Sequence, residues 1–145
     1  MELKSIDIYE LYKLLVSAKL VKLSDSGQIK LIKACNELKK TALALEEFEK
    51  DARDKLRDDK FTEMVNKATQ WQREGQDTTL TEDERREINM YFAEYENNIK
   101  QCMEDEYNKL VTVKIDKLSD EAFEQFIAAN DFDVQQAMKL AEFLI

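Results

Sequence analysis

The sequence predicts a mainly α-helical fold. Its centre is a long antiparallel, coiled-coil-like helical hairpin, accompanied by a small two-stranded β-ribbon and short C-terminal helices. Three observations predict this. The 145-residue chain has no Pro and only two Gly, Gly27 and Gly75. Long helices therefore meet few interruptions, and the turn residues of sandwiches and barrels are missing. Two segments space their apolar residues alternately by four and three, which is the mark of a helical seam. One short segment, "LVTVKIDKL" at 110–118, changes to period two with β-branched residues.

In chain order, residues 1–6 form a weakly alternating short strand. A helix starts near Asp7, an acceptable N-cap, and places Ile8, Leu11, Leu14 and Leu15 on one face. "KLSDSGQ" at 22–28 breaks that pattern, and Ser24 or Ser26 can cap a second helix. This second helix carries the strongest signal: Leu31, Cys35, Leu38, Ala42 and Leu45 form a seam, Glu49 interrupts it, and Ala52 and Leu56 resume its phase. "RDDK" at 57–60 weakens the pattern. Phe61, Met64, Val65, Ala68 and Trp71 then give an amphipathic stretch, either a continuation or a separate helix. "REGQDTTL" from Arg73 to Leu80 reads as a loop.

"TEDE" at 81–84 matches a capping box that opens the second long helix, with Thr81 and Glu84 as its partners. The early acids suit the positive end of the helix dipole. Its seam is Ile88, Phe92, Tyr95, Ile99 and Cys102, with Glu106 at the next position. Two matched seams joined by a connection containing Gly75 imply a hairpin over about 26–108. Such a hairpin returns the chain to its start, so the strand at 111–115 emerges beside residues 1–6. A lone strand leaves backbone donors and acceptors unpaired, and the two segments are natural partners. Helices over 119–145 complete the chain. Ser119 caps the first, Leu118 and Phe123 form a hydrophobic staple, and Ala122, Phe123, Phe126, Ile127 and Ala128 make its apolar face. "NDFD" at 130–133 breaks it, and Val134, Ala137, Met138, Leu140, Ala141 and Leu144 belong to the last helix. The whole, 1–145, is expected to be a single helical domain.

Composition narrows the function. The hydrophobic fraction of 43% suffices for a core, and the absence of His excludes a His-based triad or base. Two Cys outside any CxxC pair argue against zinc, and two distant Gly cannot build a phosphate-binding loop. Cys35 and Cys102, both on seam positions, are expected to be core thiols. No catalytic, cofactor-binding or metal-ligating residue is expected, and the protein is read as a non-enzyme. Residues 1–45 carry eight Lys and five acids, leaving a net −12 on residues 46–145 of a chain whose net charge is −9. Direct binding of nucleic acid by the acidic part is disfavoured, because phosphate affinity rests on Lys and Arg. No apolar run approaches membrane-span length, and the N-terminus lacks a signal-peptide layout, so no membrane association is expected.

The residues that could contact a partner are Phe61 and Trp71, near the hairpin tip, and the acids Glu104, Asp105 and Glu106. Aromatic residues at helical spacing usually belong to a core, but tip residues have less chain to bury against. The acids are chiefly a solvated helix face; a docking surface for a basic partner is the functional alternative. Asp131 and Asp133 are expected to cap the last helix rather than to bind Mg²⁺ or Ca²⁺. "FIAANDFDVQQAMKLAEFL" is similar to the end of a ubiquitin-associated-type helical module over about twenty residues. It is read as two packed helices.

"AKLVKLSDSGQIKLIKACNEL", "ALEEFEKDARDKL" and "YNKLVTVKIDKLSDEAF", in that order, resemble a family of short phage and prophage proteins of unknown function. The resemblance covers about two thirds of the chain and excludes the final helix, 134–145. It implies a viral origin and a non-enzymatic role in virion or tail assembly. The expected location is the host cytoplasm or the virion, and the expected partner is a protein, either a different one or a second copy of the chain. The alternative is an inhibitor of a host defence or DNA-binding protein, acting by acidic mimicry or by sequestering a small signalling molecule.

Overall fold

A computed structural model describes residues 1–74 and 81–145. It contains β1 (Glu2–Lys4), α1 (Ser5–Val16), α2 (Asp25–Leu56), α3 (Asp59–Glu74), α4 (Glu82–Asn108), β2 (Leu110–Thr112), α5 (Asp120–Ala128) and α6 (Val134–Leu144). The chain is mainly helical with one small antiparallel sheet, as the seams and the period-two segment predict. It forms two compact units, residues 1–46 with 106–145 and residues 47–105.

In the first unit the ribbon pairs Glu2 with Thr112, Leu3 with Val111 and Lys4 with Leu110. Hydrogen bonds extend the ladder past both strands: Val113 N–H donates to Met1 O at 2.9 Å, and Ser5 N–H to Lys109 O at 2.9 Å. The alternation in sequence survives as alternation in burial. Val113 is buried, Val111 and Ile115 are half-buried, and Thr112, Lys114 and Asp116 are exposed. Helix α1 begins two residues before the expected Asp7, because Ser5 turns its hydroxyl onto Lys109 O (3.1 Å) and anchors the helix start to the ribbon.

The core of this unit joins Ile8, Leu11 and Leu15 of α1 and Leu31, Ala34 and Leu38 of α2 to Val113, Leu118, Phe126, Leu140, Phe143 and Leu144. Ser24 caps α2 through its hydroxyl and Gly27 N–H (3.3 Å). A Cβ on Gly27 would stand 3.1 Å from Leu23 Cδ2, so glycine lets Leu23 fold back against the first turn. Ser119 caps α5 through Ala122 N–H (3.1 Å). Asp133 and Gln136 form a full capping box on α6. The break at 130–133 has a further use. Asn130 accepts from Lys19 N–H (2.7 Å) and donates to Lys19 O and Phe126 O (2.9 Å each), tying the α5–α6 turn to the loop after α1. Leu118 N–H donates to Leu144 O at 2.7 Å, and Lys117 Nζ donates to Phe143 O at 2.8 Å. Both satisfy carbonyls at the end of α6.

In the second unit, three contacts fix the antiparallel course. Arg53 meets Glu96, Phe61 meets Phe92 and Tyr95, and Arg85 stacks over Trp71, so one residue number falls as the other rises. The amphipathic stretch after "RDDK" is a separate helix, α3, capped by Asp58 through Phe61 N–H at 2.9 Å. Thr81 Oγ accepts from Glu84 N–H (3.2 Å), the N-cap half of the predicted capping box, and its hydroxyl donates to the Glu84 carboxylate (3.3 Å). Arg73 and Glu74, read as loop, complete α3, and the rest of that loop, 75–80, lies outside the described residues.

The seam of α4 needs a correction. Cys102 is exposed, and the buried position is its neighbour Met103. The buried residues Ile88, Tyr95, Ile99 and Met103 end on a spacing of four where a heptad requires three. At about 100° per residue, Cys102 and Met103 lie about 50° to either side of the mean direction of Ile88, Phe92, Tyr95 and Ile99, so packing, not spacing, chooses Met103. In α2 the buried residue between Leu31 and Leu38 is Ala34, and Cys35 is only half-buried. On the last helix, Val134 and Met138 are exposed and Phe143 takes the core position.

Candidate docking surface

The residues singled out in the sequence are not gathered into one place. Phe61 belongs to an aromatic cluster, its ring centroid 4.8 Å from that of Tyr95 and 6.1 Å from that of Phe92. Trp71 is half-buried, with the Arg85 guanidinium 5.6 Å from its ring centroid. Ten residues on one helix separate the two by about 15 Å of rise. Glu104 and Asp105 are exposed and Glu106 is half-buried; consecutive helical residues diverge by about 100°, so the three do not form a single patch. Glu49, the interruption in the α2 seam, is a partner of Arg53 (3.4 Å), which also grips both carboxylate oxygens of Glu96 at 2.9 and 3.2 Å. The Arg53 guanidinium holds the Glu96 carboxyl below its ordinary range. Phe61, Trp71 and Glu49 thus serve contacts within residues 47–105.

Helix α2 offers a different surface within the first unit. Its buried stripe is Gly27, Leu31, Ala34, Leu38, Ala42 and Leu45. Opposite, at spacings of three, four and seven, lie Ile29, Ile32, Asn36 and Leu43. Ile29 is 52% exposed, Ile32 50% and Leu43 42%. From Ile29 to Leu43 the face runs for about 21 Å. Lys39 borders it on one side and Lys33 and Lys40 on the other, by helical phase. None of the three lysines forms an ion pair with the described residues, whereas Lys13 and Lys139 do. Between residues 26 and 45 the one acid is Glu37, whose carboxylate accepts Lys114 N–H at 3.2 Å. Cys35 sits between the two faces; burial pushes its thiol pKa up and Lys39 partly opposes this, which disfavours a reactive thiolate.

Other large exposed apolar side chains, including Val21, Met90 and Val134, are spread over different elements. Scattered exposure of that kind is ordinary, whereas these three share one face of α2 as an interrupted row, with Asn36 between Ile32 and Leu43. A signal for it exists in the sequence: Ile29, Ile32 and Leu43 share one helical phase that the seam does not use.

A second feature of the same unit is an open groove of about 410 Å³, bordered by Met1, Leu3, Leu11, Met138 and Phe143. On its rim Lys139 pairs with Asp7 (3.3 Å) and with Glu10. Burial pulls the Lys139 pKa down, but the Glu10 and Asp7 carboxylates outweigh it and hold the ammonium above its ordinary range. The pair therefore stabilises the fold at neutral pH, where both partners are ionised. Its contribution is complete below the unfolded Lys value, about 10.4, and disappears as pH rises through the higher folded value. Melting temperatures of the wild type and Lys139→Met should accordingly differ by a constant amount from neutral pH up to roughly pH 10 and converge above it. A gap that persists at higher pH would show that the side chain's packing, not its charge, stabilises this contact.

Among the described residues no group of three or more Cys, Asp and Glu is placed to hold a metal ion, and no helix is long and apolar enough to cross a membrane. No family model, curated protein or solved structure matches the chain.

Proposed function

We propose that this chain is a non-enzymatic, helical protein-docking protein of phage type, acting in particle assembly as a virion or tail component or as an assembly chaperone. The observation that supports it is the second face of α2. Three half-exposed aliphatic residues stand in register on a helix whose opposite face already supplies the core. Leaving them in water forgoes burial at about 25 cal/mol per Å², and a partner recovers it. The order of helical and "V-x-I-x-K-L" segments supplies the phage-type assignment. Affinity capture of the tagged chain from infected cells, with mass spectrometry, tests it. A capsid, portal or tail protein retained by the wild type and lost with Ile32→Asp is the expected result. A host defence protein retained equally by both would contradict it.

That last outcome is the second reading, inhibition of a host defence or DNA-binding protein, either by an acidic decoy or by trapping a small signalling molecule. The net −12 on residues 46–145, with Glu104 and Asp105 exposed on α4, favours the decoy form. Under it, neutralising acids of α4 would abolish binding, and substitutions on the outer face of α2 would not.

A further inference from the structure

We infer that the outer face of α2 takes an acidic amphipathic helix of another protein. The inference rests on the docking reading above and specifies the partner's chemistry. The face is a row, not a pocket. Ile29, Ile32 and Leu43 recur at helical spacing over about four turns, which suits a helix laid alongside and its own apolar residues at i, i+3 and i+4.

Charge selects the kind of helix. Lys33, Lys39 and Lys40 flank the row, and none of them forms an ion pair with a described carboxylate, Glu37 on the same helix accepting Lys114 N–H instead. At physiological ionic strength charges beyond about 8 Å are largely screened, so these lysines, and not the chain's net −9, set the field a docked helix meets. Acids bordering the partner's apolar stripe would pair with them and fix its register, in the manner of flanking charges in a coiled coil. A second copy of the chain docked face to face would place lysine against lysine, which disfavours self-association here. A nucleic acid would use the three lysines but leave the three aliphatic side chains against phosphate and water.

Fluorescence anisotropy with two synthetic helical peptides tests the assignment. Each has about three heptads with a leucine stripe, bordered by Glu in one and by Lys in the other. The Leu/Glu peptide should bind with a Kd on the order of 10 µM, at least about tenfold tighter than the Leu/Lys peptide. Ile32→Asp should abolish binding. Lys33→Glu combined with Lys40→Glu should reverse the preference between peptides. All of these positions are solvent-facing or half-exposed, so helical circular dichroism and Tm should stay as in the wild type, which separates lost binding from lost folding. Failure of both peptides to bind overturns the inference, as does Leu/Glu binding that survives both variants. A wild-type dimer in sedimentation that Ile32→Asp dissociates also overturns it, in favour of a second copy as occupant. Equal affinity for a duplex oligonucleotide overturns it as well. None of these results depends on which protein is captured from infected cells, so the docking reading stands or falls separately.

Discussion

A chain carrying Leu38→Asp should lose its cooperative thermal transition, or melt at least about 15 °C below the wild type. Leu38 is fully buried and belongs to the cluster in which α1, α2, the ribbon and both C-terminal helices meet. Its replacement removes the largest apolar side chain at that point of α2 and leaves a carboxyl group among aliphatic carbons. Lost packing and the unsatisfied polar group together cost on the order of 4–6 kcal/mol. Natural domains have about 5–15 kcal/mol in total, so the substitution consumes much of it. Ile99→Asp should act in the same way on residues 47–105, where Ile99 shares the buried stripe of α4. Circular dichroism melts of the two variants check this, and a Tm within a few degrees of wild type would show that these positions are not the core.

Deleting Met1–Lys4 should destabilise the fold by about 3–4 kcal/mol, as several ladder hydrogen bonds worth about 1 kcal/mol each disappear. The deletion removes the whole of β1 and the two bonds between Met1 and Val113. Val113 is buried, so its N–H would be left without a partner in a place that water reaches poorly. Leu3, which packs on the core, is lost as well. Denaturant titration of the truncated chain measures the difference. A change below about 0.5 kcal/mol would mean that the ribbon is decoration, with the N-terminal segment tolerating removal as ordinary chain ends do.

The fold is legible where a pattern has a single physical reading. Val111, Val113 and Ile115 alternate as a strand does, and a strand needs a partner; the strand that forms, Leu110–Thr112, is shorter than the expected 111–115 and pairs with Glu2–Lys4, with Val113 adding a hydrogen bond to Met1 and Ile115 lying beyond it. The caps at Thr81, Ser119 and Asp133 are legible because a side chain that satisfies a helix terminus acts within three residues. The exact buried stripe is less so. Cys102 and Met103 stand on either side of the direction of the α4 stripe, so spacing alone does not choose between them, and packing buries Met103. Contacts that depend on distant elements are invisible in sequence: the Asn130 clasp on Lys19 joins positions 111 apart, and "NDFD" announces only a break. The docking face is hidden for another reason. The seam accounts for α2, and Ile29, Ile32 and Leu43 read as noise until their shared phase and exposure stand beside the flanking lysines.

A methyl NMR titration of the isotopically labelled full-length chain with the Leu/Glu peptide tests the docking face most directly. Shift changes concentrated at Ile29, Ile32 and Leu43, weakening as salt is raised, are the predicted result. Changes centred on Met1, Leu3 and Met138, or spread evenly over both units, would contradict it.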